Sequence, residues 1–136
     1  MNSRAKLSYG AMCVAGVVLA LTGIGTFALG KPPMTHWVLM AHVAASPLFA
    51  LGLAAVALTW SGDCCRGADS RLNGWAKAWL WVILASGLVV MLSGVVPMTP
   101  FFGASGQHIL YLTHRYSAIV LTAAILLHFP ALLRRQ

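Results

Sequence analysis

Four long stretches almost free of charge dominate this chain. They are Leu7–Leu29, Thr35–Trp60, Trp75–Pro97 and Gly106–Leu133, and Lys77 and Arg115 are the only basic residues inside them. Each exceeds the roughly 20 residues that carry a helix across a bilayer. Hydrocarbon offers the backbone no hydrogen-bond partner, so the amides of such a segment are satisfied within it, as helix. The expectation is an all-α membrane protein, a four-helix transmembrane bundle forming a single domain over residues 1–136. Charged residues make up 8% of the 136, too few to cover the surface of a soluble domain of this size.

A net charge of +7 would suggest nucleic acid as the partner of a soluble protein. Here the positions argue for topology instead. Arg4 and Lys6 precede the first span, Arg66, Arg71 and Lys77 lie around the second loop, and Arg134 and Arg135 follow the fourth span. The first loop holds only Lys31 and the third holds no charge. Positive residues mark the cytoplasmic side, so both termini and the middle loop are expected in the cytoplasm of a bacterial-type inner membrane. Lipid is then the main partner, with anionic headgroups attracted to the basic ends. The first span has the basic flank of a signal peptide. Its uncharged run is longer than such a segment needs and is matched by the third span, so it is read as a retained helix. Cys13 falls inside a span as a small apolar residue. Cys64 and Cys65 sit together in the middle loop with no other ligand near, a poor metal site; palmitoylation or thiol sensing are the functional alternatives.

The spans repeat. "AGVVLALTGIG" at 15–25 aligns with "SGLVVMLSGVV" at 86–96, an offset of 71 (86 minus 15) that puts Gly16 on Gly87, Thr22 on Ser93 and Gly23 on Gly94. One more residue in the second hairpin loop makes the offset 72 (108 minus 36), and "MTHWVLMAH" then meets "GQHILYLTH", with His36 on His108 and His42 on His114. The halves read as two copies of one helical hairpin in the same orientation, an arrangement usually related by a pseudo-two-fold axis along the membrane normal. His42 and His114 fall about two turns below the outer surface, and His36 and His108 about 9 Å shallower. Six residues turn a helix by about 600°, about 120° short of two turns, so the two members of a pair cannot face one point.

Imidazole within a membrane needs a partner. For His36 and His108, near the headgroups, backbone carbonyls or water suffice. For His42 and His114 a metal centre is the sharper reading, because the only acids, Asp63 and Asp69, lie on the cytoplasmic side. That also speaks against a carboxylate proton relay and against an oxygen-ligand cation site. Zinc wants more protein ligands than two, whereas haem iron takes one or two imidazoles. Gly16 and Gly23, like Gly87 and Gly94, are seven apart and share a face. Close helix packing explains such pairs, and so does room for a flat macrocycle at the level of Gly23 and Gly94.

The two histidine pairs, with "HRYSAIVLTAAILLH" placing His114 and His128 fourteen apart, resemble the transmembrane b-type cytochromes. The likeness is to the four-helix cytochrome b subunits of membrane formate dehydrogenases and nickel–iron hydrogenases, and more distantly to the core of respiratory cytochrome b. It covers the four-helix core, nearly the whole chain. It implies haem b held between His42 and His114, Gly23 and Gly94 at the same depth, and a second haem at His128. The pattern breaks there: the repeat mate of His128 is Val56, and the first span has no histidine, leaving Met12 as the other donor. The competing first site is His36 with His108. Arg115 pairs with haem propionates or a partner's carboxylate, or snorkels to the outer surface. Trp37, Tyr111 and Tyr116, and Trp75, Trp79 and Trp81, read as interfacial belts.

The function that the resemblance implies is electron transfer between the quinone pool and an extracytoplasmic redox protein, such as a c-type cytochrome or an iron–sulfur subunit. The chain would then be one subunit of an oxidoreductase complex, doing no bond chemistry alone. The alternatives are a transporter or channel module whose histidines line a polar path, and a structural anchor of a larger complex. Haem absorption separates the first from the other two.

Overall fold

The structure is a computed structural model that describes residues 3–30, 34–65 and 74–133, with side chains over 7–30, 34–60 and 74–128. Its elements are four α-helices, α1 (Ser3–Ala28), α2 (His36–Cys65), α3 (Gly74–Val95) and α4 (Ala104–Leu133), and a 3-10 turn at Val96–Met98, with no strand among the described residues. The stretches long and apolar enough to cross a membrane are Leu7–Ala28, His36–Trp60, Gly74–Met98 and Ala104–His128. The chain is an all-α, multi-pass membrane protein, with helix ends close to those expected from hydropathy. Where the backbone runs on, as in α1 from Ser3 and α2 to Cys65, helix propagates beyond the apolar stretch because each further residue adds a hydrogen bond to a nucleus already made. Of the basic residues behind the topology reading, Lys77 is described, on α3; Arg4, Lys6, Lys31, Arg66, Arg71, Arg134 and Arg135 lie outside the residues whose side chains are described, as do the two acids, Asp63 and Asp69, and the Cys64–Cys65 pair.

Every helix leaves large apolar side chains outward, Leu21 at 70%, Leu51 at 69% and Leu126 at 67% among them, as lipid solvent permits. The hydroxyls obey the same solvent. Thr22 donates to the Val18 carbonyl, Thr26 to Thr22, Thr59 to Ala55, Ser86 to Val82, Ser93 to Val89, Thr113 to Ile109 and Thr122 to Ala118, each bond 2.6–2.9 Å long. A serine or threonine thus discharges its donor onto its own helix, four residues back. The proposed belt residues Trp37, Tyr111, Tyr116, Trp75 and Trp81 are exposed, and Trp79 is half-buried.

The chain divides into two compact units, Met1–Lys77 and Ala78–Gln136, the division falling in the first turn of α3. Each is a helical hairpin. In the first, α1 ends in a tight cap: Leu29 N–H donates to Gly25 O, Gly30 N–H donates to Phe27 O, and Gly30 has φ +64, a value that suits glycine. His36, at the head of α2, has φ +52, a left-handed backbone that is uncommon outside glycine. The helices then close to backbone contact. A β-carbon on Gly52 would lie 2.9 Å from both Cα and Cβ of Met12. Nearby, the Tyr9 and Trp60 rings stack at 5.7 Å. Pro47 is accommodated within α2. It has no N–H for the Val43 carbonyl, and Ser46 Oγ donates to His42 O at 2.8 Å just upstream.

The second hairpin turns through Pro97, with Thr99 closing the 3-10 turn onto the Val96 carbonyl. It buries several positions equivalent to buried positions of the first. Met12 (0% exposed) corresponds to Ile83 (0%), Phe49 (2%) to Leu121 (7%), and Val56 (0%) to His128 (0%). Gly52 corresponds to Ala124 (124 minus 52 is 72), also fully buried. The duplication read from glycines and histidines is therefore a duplication of packing faces.

Candidate functional site

His42 lies one turn and a half into α2, and its ring reaches α1. Nδ1 is 2.8 Å from Thr22 Oγ1. The Thr22 hydroxyl has one hydrogen and lies 2.7 Å from the Val18 carbonyl and 3.2 Å from that of Leu19; with that hydrogen given to a carbonyl, its oxygen accepts from the imidazole and Nδ1 is the donor. Beside this bond, a β-carbon on Gly23 would stand 3.3 Å from His42 Cε1 and 3.8 Å from the Met34 methyl. His42 is half-buried.

His114 on α4 repeats the arrangement toward α3. Its Nδ1 is 3.0 Å from the Val90 carbonyl and 3.4 Å from Ser93 Oγ. A carbonyl can only accept, so Nδ1 carries the proton. Ser93 sends its own hydrogen to Val89 O at 2.7 Å. A β-carbon on Gly94 would stand 3.3 Å from both Cε1 and Nδ1 of His114. Thr22–Gly23 and Ser93–Gly94 thus stand at equivalent places against His42 and His114, once in each hairpin, although the Nδ1 bond goes to the hydroxyl in the first and to a main-chain carbonyl in the second. In both, the room that the glycine leaves is taken by the imidazole edge, a use of that glycine which spacing alone does not reveal.

The chemical consequence is a tautomer. With Nδ1 protonated and donating, the lone pair of a neutral imidazole sits on Nε2. Metal-binding histidines are commonly held this way, one ring nitrogen donating to a carbonyl or similar acceptor while the other ligates. Among the described residues no three of His, Cys, Asp or Glu gather as a metal-ion cluster.

The chain matches no family model, and no curated protein or solved structure is significantly similar to it.

The remaining candidate residues fall into place within their own hairpins. His36 and His108 are exposed. Arg115 is half-buried beside the ring of Tyr116, its guanidinium carbon 5.8 Å from the centroid. His128 is fully buried on α4, and Met12 is fully buried at the α1–α2 crossing. Sequence reasoning paired Thr22 with Ser93 without assigning them a role, and it passed over Val90, Gly52 and Pro47. A signal for the first two was present, since each hydroxyl directly precedes the glycine that faces the histidine, "TG" in one half and "SG" in the other. The Val90 carbonyl has no side-chain signature at all.

Proposed function

We propose that the chain is a membrane electron-transfer subunit that binds haem b and passes electrons between membrane quinone and an extracytoplasmic redox partner, a c-type cytochrome or an iron–sulfur protein. The carrying observation is the matched pair of anchored imidazoles, His42 Nδ1 against Thr22 Oγ1 and His114 Nδ1 against the Val90 carbonyl, an anchoring that would leave each Nε2 as the ligating nitrogen. Each imidazole's chemistry would suit it to hold haem iron. Haem, when bound, would supply one-electron redox chemistry. The chain's residues do the rest. His42 and His114 offer Nε2, Thr22 and the Val90 carbonyl hold the two rings in orientation, and Gly23 and Gly94 leave each ring its seat. The apolar spans exclude water. Arg115, half-buried next to His114, suits a carboxylate such as a propionate. His128, fully buried on α4, is the residue that a second haem would take as a ligand, with Met12 the candidate for the other donor. His36 and His108, exposed and shallower on the same helices, suit the approach of quinol or of the partner.

The test is a reduced-minus-oxidised spectrum and a haem assay on the purified full chain from haem-replete cells. One low-spin haem b per chain is expected, or two, with His128→Ala removing the second. Protein that folds in the membrane and carries no haem would defeat the proposal and leave the transporter and anchor readings.

The proposal also assigns both termini to the cytoplasm of a bacterial-type membrane, from the Lys/Arg distribution. A reporter fused after Gln136 is expected to be active only in its cytoplasmic form. Activity of a periplasmic reporter there would reverse the topology and put His36 and His108 on the cytoplasmic side.

A further inference from the structure

The repeat makes Thr22 and Ser93 equivalent in sequence, but their geometry is unequal. Thr22 Oγ1 lies 2.8 Å from His42 Nδ1, and this acceptor is a side-chain atom that a substitution removes. Ser93 Oγ lies 3.4 Å from His114 Nδ1, while the Val90 carbonyl holds the same nitrogen at 3.0 Å. No substitution at residue 93 takes that carbonyl away. We infer that Thr22 is the positioning residue that sets the tautomer and donor strength of His42, and that Ser93 has no equal role toward His114. The inference rests on the haem reading for its redox consequence and on the hydrogen bonds alone for its tautomer consequence.

A donating Nδ1–H makes Nε2 more basic and fixes the plane of the ring. The Thr22 oxygen is a good acceptor because its own hydrogen is given to Val18 O, and linked hydrogen bonds polarise one another. A more basic axial imidazole favours the oxidised metal, so loss of the Thr22 bond should favour the reduced form. At His114 the carbonyl bond survives loss of the Ser93 hydroxyl, and the ring keeps its proton and its plane.

Thr22→Val is the sharp variant, because it exchanges a hydroxyl for a methyl on the same β-branched frame. It also deletes the bond to Val18, which Thr26→Val controls: Thr26 bonds back to Thr22 O at 2.8 Å in the same manner. The redox midpoint of the purified full chain should shift in Thr22→Val by about tenfold in the reduction equilibrium, which is about 59 mV for one electron, toward the reduced form. Thr22→Ser should restore the wild-type midpoint. Ser93→Ala and Thr26→Val should move it by less than about twofold. If valine at 22 prevents folding, Thr22→Ala carries the same expectation.

A second readout needs no haem. In 15N-histidine NMR of the full chain, Thr22→Val should disturb the Nδ1-protonated form of His42, and Ser93→Ala should leave that of His114 in place. A Ser93→Ala shift as large as that of Thr22→Val, or a Thr22→Ser protein that behaves like Thr22→Val, overturns the assignment. If the wild-type chain holds no haem, the cytochrome proposal fails, and the NMR comparison still decides the role of Thr22.

Discussion

Alanine at His42, or separately at His114, is expected to abolish the low-spin haem spectrum of the purified chain or convert it to a high-spin one. The two rings occupy the same place in the two hairpins, each is bonded through Nδ1 to the neighbouring helix, and each lies where a β-carbon on the facing glycine would come within 3.3 Å. Removal of either leaves one imidazole, and haem iron with a single protein ligand is five-coordinate and high-spin. His36→Ala and His108→Ala are expected to leave the spectrum largely intact and to slow quinol turnover instead. Both residues are exposed, and six residues of helix turn them about 120° away from the deeper pair. Absorption and EPR spectra of the four variants decide the matter. Haem lost from the His36 and His108 variants but kept by the His42 and His114 variants would move the ligands to the shallow pair and leave the cytochrome proposal standing.

Gly52→Ala is expected to destabilise the first hairpin by about 1–3 kcal/mol, the usual cost of overpacking a close contact. The added methyl would meet the backbone of Met12, with Cα at 2.9 Å and N at 3.1 Å. A flexible side chain could swing aside, but helix backbone cannot, so α1 and α2 would have to separate. Gly25→Ala is the control: nothing lies within 4 Å of its β-carbon position, and alanine has the better helix propensity by about 0.8–1 kcal/mol. Gly25→Ala should therefore hold or raise the unfolding midpoint that Gly52→Ala lowers, in one detergent system measured by circular dichroism. Equal behaviour of the two variants would remove the close crossing from the fold. The second hairpin carries Ala124 at the equivalent place, fully buried, so the repeat tolerates a methyl in one copy and excludes it in the other.

Much of the fold was legible in the residues because its causes are local. Runs of apolar side chains and the need to satisfy each amide within its own segment produce four helices whatever their neighbours are. Matching glycines and histidines expose the duplication, since 71 and 72 are offsets read along the chain. Those two facts also set four of the five histidines in matched pairs, His36 with His108 and His42 with His114. Which atoms hold them was not legible. These helices are apolar nearly all round and present no narrow stripe that states the crossing or the axial register. Only with the hairpins closed does Thr22 stand 2.8 Å from one imidazole while a main-chain carbonyl takes the other, and only then is Gly52 pressed against Met12. His36 illustrates the same limit, because no pattern of apolar and polar residues marks its left-handed backbone. The sequence by itself determined the helices, their number and the residues able to ligate. The tertiary structure decided which nitrogen of each imidazole donates and to what, because that depends on interhelical distances of about 3 Å, far finer than any pattern of apolar and polar residues resolves.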